Sequence, residues 1–367
     1  MITTYLGILG HQLIQRPHLF QLHPNTQAKL TRFKAIKRGY WSFWLMVLLV
    51  GSSLFLELWV SQRALVVSHQ GKLYFPSYGA VLSGKTFGLN YQYETNYREL
   101  QTSWEAEGQK SWLLMPLVPY SPYESDFSLE DNPPNPPNFS SSHYLGTDNS
   151  GRDILARLLY GFRVAILFSF ALYFATSSLG VLIGSLMGYF GGKFDLLMQR
   201  VVEVWTSVPT LYLILIMAAL ITPNFWLLLG ILVFVGWTEM TWLMRAEIYR
   251  EKNRQYCEAA RSMGASHLSI ILRHLLPNAL VPIIARLPFQ MVAGIGALTS
   301  LDYLGYGLPI PTPSWGELLR QGQEAFDYAP WILLSPSFAT ILILLLFTFI
   351  GEAIRESFDP KRVTLYE

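Results

Sequence analysis

The stretch Val164–Met187, VAILFSFALYFATSSLGVLIGSLM, contains no charged residue. A bilayer core is about 30 Å thick and takes about 20 apolar residues of helix to cross. The stretch therefore predicts a membrane-spanning helix and sets the class of the chain. Composition agrees: of 367 residues, 51% are hydrophobic and 14% charged, with a mean hydropathy of +0.29. An average soluble domain carries about 25% charged residues, so an ordinary water-soluble globule is excluded. The net charge of +2 says little about partners. The single cysteine, Cys257, rules out an intramolecular disulfide framework. Residues 1–38 are polar, include Pro17 and Pro24, and read as lacking a secretory leader.

Working outward, five more stretches read as spans. Trp41–Val60 is interrupted only by Glu57, and Val201–Ile221 only by Glu203 near its start. Phe225–Met244 follows, then Leu280–Leu301, weakened by Arg286 and Pro288, and finally Trp331–Ile350. The expected fold class is an all-α membrane protein of six transmembrane helices. Lysine and arginine bias sets its orientation. Arg32, Lys34, Lys37 and Arg38 precede the first span, Lys193 and Arg200 follow the second, and Arg245, Arg250, Lys252, Arg254, Arg261 and Arg273 follow the fourth. Arg355, Lys361 and Arg362 follow the sixth, whereas Asp302–Pro330 holds only Arg320. Both termini are thus expected in the cytoplasm. The expected division is a cytoplasmic segment 1–40, a first span 41–60, an extracytoplasmic insertion 61–144, a core 145–354 with five spans, and a cytoplasmic tail 355–367.

The insertion ends in Asn132-Pro-Pro-Asn-Pro-Pro-Asn138, a stiff extended linker. Before it, some 70 residues suggest a small lobe of mixed strand and turn, either a cap on the membrane part, a lid or a docking surface. The lobe also contains Gly79–Thr86, GAVLSGKT, which matches the nucleotide-binding pattern G-x-x-x-x-G-K-[ST]. That pattern works only between a buried strand and a helix. Here Pro76 interrupts the preceding segment, and Phe87–Tyr91 starts no amphipathic helix. A chance match in a chain this long is expected at about one in a hundred. The stretch reads as a surface turn.

No catalytic constellation is found. The histidines His11, His18, His23, His69, His143, His267 and His274 lack zinc-ligand spacing, and no G-x-S-x-G occurs. The sequence implies no cofactor. The basic run Arg245–Arg254 beside a span is explained by topology, with lipid rather than nucleic acid as its neighbour.

The informative cytoplasmic stretch is Tyr256–Asn278, YCEAARSMGASHLSIILRHLLPN. It predicts two short helices, broken at Gly264 and stopped at Pro277. Glu258, Ala259 and Ala260 open the first piece with small side chains that permit close approach. Ser266 can cap the second, in which Leu268, Ile271, Leu272 and Leu275 follow i, i+3, i+4, i+7 spacing. Such a stripe either packs on its own bundle or fills a partner's groove.

This stretch resembles the EAA loop of ABC-transporter permeases through Glu258, Ala259, Ala260, Gly264, Leu276 and Pro277, with His274 where isoleucine is common. LGTDNSGRDILARLLYGFR (Leu145–Arg163), PTPSWGELL (Pro311–Leu319), GEAIRESFDPKR (Gly351–Arg362) and GYFGGKFD (Gly188–Asp195) resemble the dipeptide, oligopeptide and nickel branch. The long insertion, Arg38–Trp41 and Leu298–Leu308 are most similar to microcin C and oligopeptide uptake permeases of Gram-negative inner membranes. Asp302 stands where the broader branch usually has serine.

The resemblance implies one half of a pore in a bacterial inner membrane, paired with a homologous permease. Two cytoplasmic ATPases would receive coupling loops, here residues 255–278, and a periplasmic binding protein would deliver a peptide-like solute. The expected coupling residues are Glu258, Ala259, Ala260, Gly264, Leu268, Ile271, Leu272, Leu276 and Pro277. Ionisable residues within spans are costly and usually face an interior or a cavity, which makes Asp302, Glu203 and Glu239 candidates for the solute path. Each has a structural alternative: Asp302 holding the Gly305–Gly307 turn, Glu203 bonding a neighbouring helix, Glu239 pairing with Arg286. Gly180, Gly184 and Gly188 read as a helix-packing face. The competing readings are an ion-coupled carrier, a membrane-embedded enzyme, or nickel as the solute.

Overall fold

The computed structural model describes residues 24–358 except 109 and 128–131. The readings made on residues 1–23, and on the tail from 359 onward with Lys361 and Arg362, lie outside these. A bundle of helices carries a small mixed lobe at one end, and the loop 255–278 lies at the opposite end.

Helices α1 (Pro24–Ala35) and α2 (Lys37–Leu54) run into a single turn, α3 (Leu56–Trp59). The expected first span is therefore broken at Phe55 (φ −116°, ψ 35°). Ser52 and Ser53 precede the break, and their hydroxyls donate to the Leu49 and Val50 carbonyls, local bonds that compete with the helical ladder.

The lobe follows, with β1 (Val66–His69), β2 (Lys72–Tyr74), α4 (Tyr97–Glu107) and β3 (Trp112–Leu114). Its strands form an antiparallel sheet of order β2-β1-β3, the one departure from an all-helical fold among the described residues. Asn96 caps α4 by accepting from the Arg98 and Glu99 N–H groups. Ala64, Val67, Phe87, Tyr97, Leu100 and Trp104 form the lobe's own core. Val60, Val118, Tyr120 and Ala156 form a second cluster that fastens the lobe to the bundle.

The bundle comprises α5 (Ile154–Phe190), α6 (Gly192–Thr206), α7 (Thr210–Leu220), α8 (Phe225–Glu251), α9 (Gln255–Ser262), α10 (His267–Ser269), a π-helical stretch (Ile270–Leu275), α11 (Leu276–Tyr303), α12 (Trp315–Glu324) and α13 (Trp331–Phe358). By length and apolar composition four helical runs among the described residues suffice to cross a membrane: Ile154–Phe190, Phe225–Glu251, His267–Tyr303 and Trp331–Phe358. A fifth crossing is made only if α6 and α7 count together. They correspond to the expected continuous span Val201–Ile221 but are bent by 62°. Pro209 is the cause, since it offers no N–H to the preceding turn and its ring crowds the carbonyl there.

The most extensive helix contact joins α5 to α8. A Cβ built on Gly180 would lie 2.4 Å from Met240 Cβ, on Gly184 2.5 Å from Thr241 O, and on Gly188 2.8 Å from Ile248 Cβ. The three glycines thus pack inside this chain's own bundle, and hydrogen there lets the two backbones touch.

Candidate functional site

Between α8 and α11 the chain makes α9, turns at Gly264 with φ +80°, and continues through α10 and the π-helical stretch. Ser266 caps α10 by accepting from the Ser269 N–H. The expected stop at Pro277 does not occur, because the helix runs straight into α11. Proline tolerates the first turn of a helix, and the π register before it relaxes the turn, Leu276 N–H reaching back to Ile271 O.

The π register also divides the expected apolar stripe. Ile271 and Leu275, with Ile270, are buried against Tyr189, Met244, Ile248, Cys257 and Ala260. Leu268 and Leu272 instead face outward, 66% and 51% exposed. Met263 stands beside the break with 81% of its surface free. It belongs to no periodic pattern, so only the folded chain reveals it. Glu258, Ala259, Gly264 and Pro277 are exposed, Leu276 is half-buried and Ala260 is buried. The loop therefore has two faces, an apolar back seated in the bundle and an outward face of Met263, Leu268 and Leu272.

Polar contacts lock the back face. Tyr189 Oη is hydrogen-bonded to His267 Nδ1 at 2.7 Å. Tyr256 O–H donates to Glu251 Oε2 at 2.8 Å, and Arg254 pairs with Glu251 at 3.1 Å. Asn278 donates its amide to Tyr256 Oη and to the His274 carbonyl. Nearby, Asp195 accepts from Arg245 at 2.6 and 2.7 Å and from Tyr249 at 3.0 Å, holding the turn between α5 and α6 against α8.

At the lobe end two distant motifs meet. Asp148 is fully buried, pairs with Arg152 at 2.8 Å and lies 3.5 Å from the buried Arg157. Arg157 also donates to the Pro122 and Pro311 carbonyls. Trp315 Nε1 donates to Leu158 O at 2.9 Å, and Asn149 N–H to Gln321 Oε1 at 3.3 Å. The segments Leu145–Arg163 and Pro311–Leu319 thus form one clamp around the entrance to α5.

The candidate path residues fall in different places. Asp302 is buried, accepts from Leu308 N–H at 2.7 Å through Oδ1 and from the Ser314 hydroxyl through Oδ2. These contacts tie the turn after α11 to the start of α12. Glu203 is exposed and pairs at 2.6 Å with Arg200 on its own helix, rather than with a neighbouring one. Glu239 pairs with Arg286 at 2.7 Å across α8 and α11. The structure does not bring Asp302, Glu203 and Glu239 together.

In the lobe, the Gly79–Thr86 turn is preceded by the exposed edge strand β2 and runs at its end into a 3₁₀ turn, Gly84–Phe87. Four of its N–H groups are committed within the lobe: Gly79 to Phe75 O, Gly84 to Tyr93 O, Lys85 to Tyr91 O, and Thr86 to Ser83 O. The buried strand and the α-helix that would frame a phosphate cradle are absent on either side of it among the described residues, and the stretch is a turn of the lobe.

Residues 180–364 match the family described as the binding-protein-dependent transport system inner membrane component. The chain is 42% identical to the inner membrane ABC transporter permease protein YejE of Escherichia coli K12, covering 93% of this chain and 99% of that protein. It is 36% identical to the peptidoglycan transport system permease protein YejE of Agrobacterium fabrum, over 96% and 97% of the two chains. The oligopeptide transport system permease protein OppC of Haemophilus influenzae is 32% identical over 67% of this chain and 80% of its own length. The chain belongs to the family of inner-membrane components of binding-protein-dependent transport systems. It is a multi-pass permease subunit of an ABC importer rather than an enzyme, with ATP hydrolysis on separate subunits. Membership implies partner subunits that hydrolyse ATP and that bind solute.

Proposed function

We propose that this chain forms one half of the translocation path of an importer for peptides or peptide-like solutes. The solute class rests on relatives named for oligopeptide and peptidoglycan transport. In this reading α2 with α3, α5, the α6–α7 pair, α8, α11 and α13 are six crossings. Both chain ends and the loop 255–278 face the cytoplasm, and the insertion 61–144 lies outside. A homologous permease supplies the other half of the path, each of two ATPases takes one coupling loop, and a periplasmic binding protein delivers solute at the lobe end.

The observation that carries the reading is the two-faced loop. Met263, Leu268 and Leu272 are exposed apolar side chains on one loop, of the kind that fills a partner's groove. Glu258 and Ala259 edge this knob, and the exposed small Ala259 lets a groove wall approach. The buried Ala260, Ile271 and Leu275, with Leu276 at the start of α11, hold the opposite face. Closure of the ATPase pair then displaces loop, α5, α8 and α11 as one body, and a packed interface of this kind shifts between discrete arrangements.

The test is Leu268→Cys in the assembled importer, since Cys257 is buried and unsuited to labelling. A thiol crosslinker is expected to join position 268 to an ATP-binding subunit, with a yield that changes on ATP addition. Crosslinking to the solute-binding subunit instead, or modification by an impermeant reagent from the periplasmic side, overturns the reading.

A further inference from the structure

Glu239 lies near the middle of α8, and its partner Arg286 lies on the facing stretch of α11. Their contact is Oε1 to Nη1 at 2.7 Å, and Gln290, one turn along α11, donates to Oε2 at 3.3 Å. The side chains of the pair are 57% and 46% exposed. Both belong to helices long and apolar enough to cross a membrane. An ion pair open to lipid hydrocarbon is costly, so ionisable groups in spans face a bundle interior or a water-filled cavity. Glu239 and Gln290 adjoin such a space, and Arg286 reaches it through its contact with Glu239. A cavity of about 210 Å³ opens between α5, α8 and α11, lined by Tyr173, Thr176, Gly236, Glu239, Gln290 and Gly294 among others. Gly236 and Gly294 let α8 and α11 approach Thr176 and Ser169 of α5 beside it, and the Thr176 hydroxyl donates to the Leu172 carbonyl.

We propose that Glu239, Arg286 and Gln290 form a solute-contact station in the translocation path that takes the charged ends of a zwitterion. An ammonium group goes to Glu239 and a carboxylate to Arg286. This inference rests on the peptide-importer reading above. A zwitterion exchanges the resident ion pair for two new ones and adds no net charge to the membrane interior. A solute with only one charged end leaves Glu239 or Arg286 unpartnered, which is expensive away from bulk water. Gln290 supplies a neutral donor that holds Glu239 while Arg286 is engaged. The resident pair competes with the solute at every step, so the contact stays weak enough for release.

The experiment uses the full importer in proteoliposomes with its ATPase and binding-protein partners. Uptake of trialanine, N-acetyl-trialanine and trialanine amide is compared between the native chain and the Glu239→Gln/Arg286→Gln double variant. The two glutamines preserve a hydrogen-bonded contact without charge, and the same binding protein serves both, so its own selectivity cancels in the comparison. The native preference for the free peptide over each blocked one is expected to fall about tenfold, the size of one lost charged contact. A preference unchanged in the double variant overturns the proposal while leaving the peptide reading intact. Failure of the native importer to take up any of the three sinks that reading and the proposal together. A second measurement places the cluster: Gln290→Cys is expected to react with a charged, water-soluble methanethiosulfonate reagent and to be protected by trialanine. No reaction at that position, or reaction that trialanine leaves unchanged, removes it from the solute path.

Discussion

Tyr189 and His267 meet across the seam between the end of α5 and the loop, hydrogen-bonded at 2.7 Å with their rings edge to face at 5.6 Å. Tyr189 is nearly buried, and His267 opens α10 directly behind the exposed Leu268. Force applied to the knob therefore reaches the long helix α5 in part through this contact, beside the Phe190–His267 and Arg261–Tyr189 contacts. Tyr189→Phe keeps the ring packing and loses the hydrogen bond. With such a bond worth about 1 kcal/mol, solute moved per ATP hydrolysed is expected to fall roughly fivefold, while the ATPases still co-purify.

The two faces of the loop predict two kinds of damage. Leu268→Asp and Leu272→Asp place charge on exposed positions. They are expected to leave the melting temperature unchanged and abolish co-purification of the ATP-binding subunits. Ile271→Asp and Leu275→Asp put a carboxylate into the buried cluster, which costs several kcal/mol. These variants are expected to be absent from the membrane fraction on quantitative blotting.

Gly264 has φ +80°, and a Cβ built there meets nothing within 4 Å. Any loss on substitution thus comes from the backbone and not from a clash. Left-handed backbone costs an ordinary residue about 1–2 kcal/mol, and asparagine less. Uptake is expected to rank glycine above asparagine above alanine at this position. Gly264→Asp is expected to uncouple uptake from ATP hydrolysis, its charge lying at the edge of the knob while the chain still inserts.

Asp302 accepts from Leu308 N–H and from the Ser314 hydroxyl. Asp302→Asn keeps one acceptor and can reverse the other bond, whereas Asp302→Ala strands both donors at about 1–3 kcal/mol each. The alanine variant is expected to melt several degrees lower in detergent, and the asparagine variant close to the native chain. Peptide preference, measured with free and N-acetylated trialanine, is expected to be the same in Asp302→Asn as in the native protein. A changed preference would return Asp302 to the solute path.

His143 is fully buried between Asp153, 2.8 Å from Nδ1, and Asp126, 3.4 Å from Nε2, and it stacks on Tyr120 at 3.9 Å. The Arg98 guanidinium lies over the other ring, 4.4 Å from the Tyr120 centroid, and pairs with Glu124. Burial alone lowers the imidazole pKa, but hydrogen bonds and charge from Asp126 and Asp153 outweigh it, leaving the pKa above its ordinary 6.5. A raised folded-state pKa stabilises most below the unfolded value and loses that stabilisation as pH climbs through the folded value. The junction of lobe and bundle is therefore expected to be firmest below about pH 6.5 and to loosen on the alkaline side. Hydrogen exchange of the 143–153 backbone, followed against pH, should show this rise in the native protein and not in His143→Asn.

Much of this molecule was legible in the linear chain. Long uncharged apolar runs force helices across a bilayer, since no other backbone arrangement satisfies its own polar groups there. The spacing of Gly180, Gly184 and Gly188 announced a close helix contact, though not that Met240, Thr241 and Ile248 would meet it. The loop at Gly264 and its cap Ser266 followed from local backbone chemistry. Pattern alone misplaced what depended on three-dimensional neighbours. A regular stripe at Leu268, Ile271, Leu272 and Leu275 assumes 3.6 residues per turn, and the π register removed that premise. Asp302 and Glu239 look equivalent in sequence, yet one is walled in by Ser314 and Leu308 and the other borders a cavity beside Arg286. Periodicity and turn chemistry act over a few residues, so the sequence by itself settled the membrane class and the place of the long apolar helices, and marked the turn at Gly264. Which face of that loop stays free, and which charge within a helix borders open space, depend on side chains brought together from far along the chain, and only tertiary packing decided them.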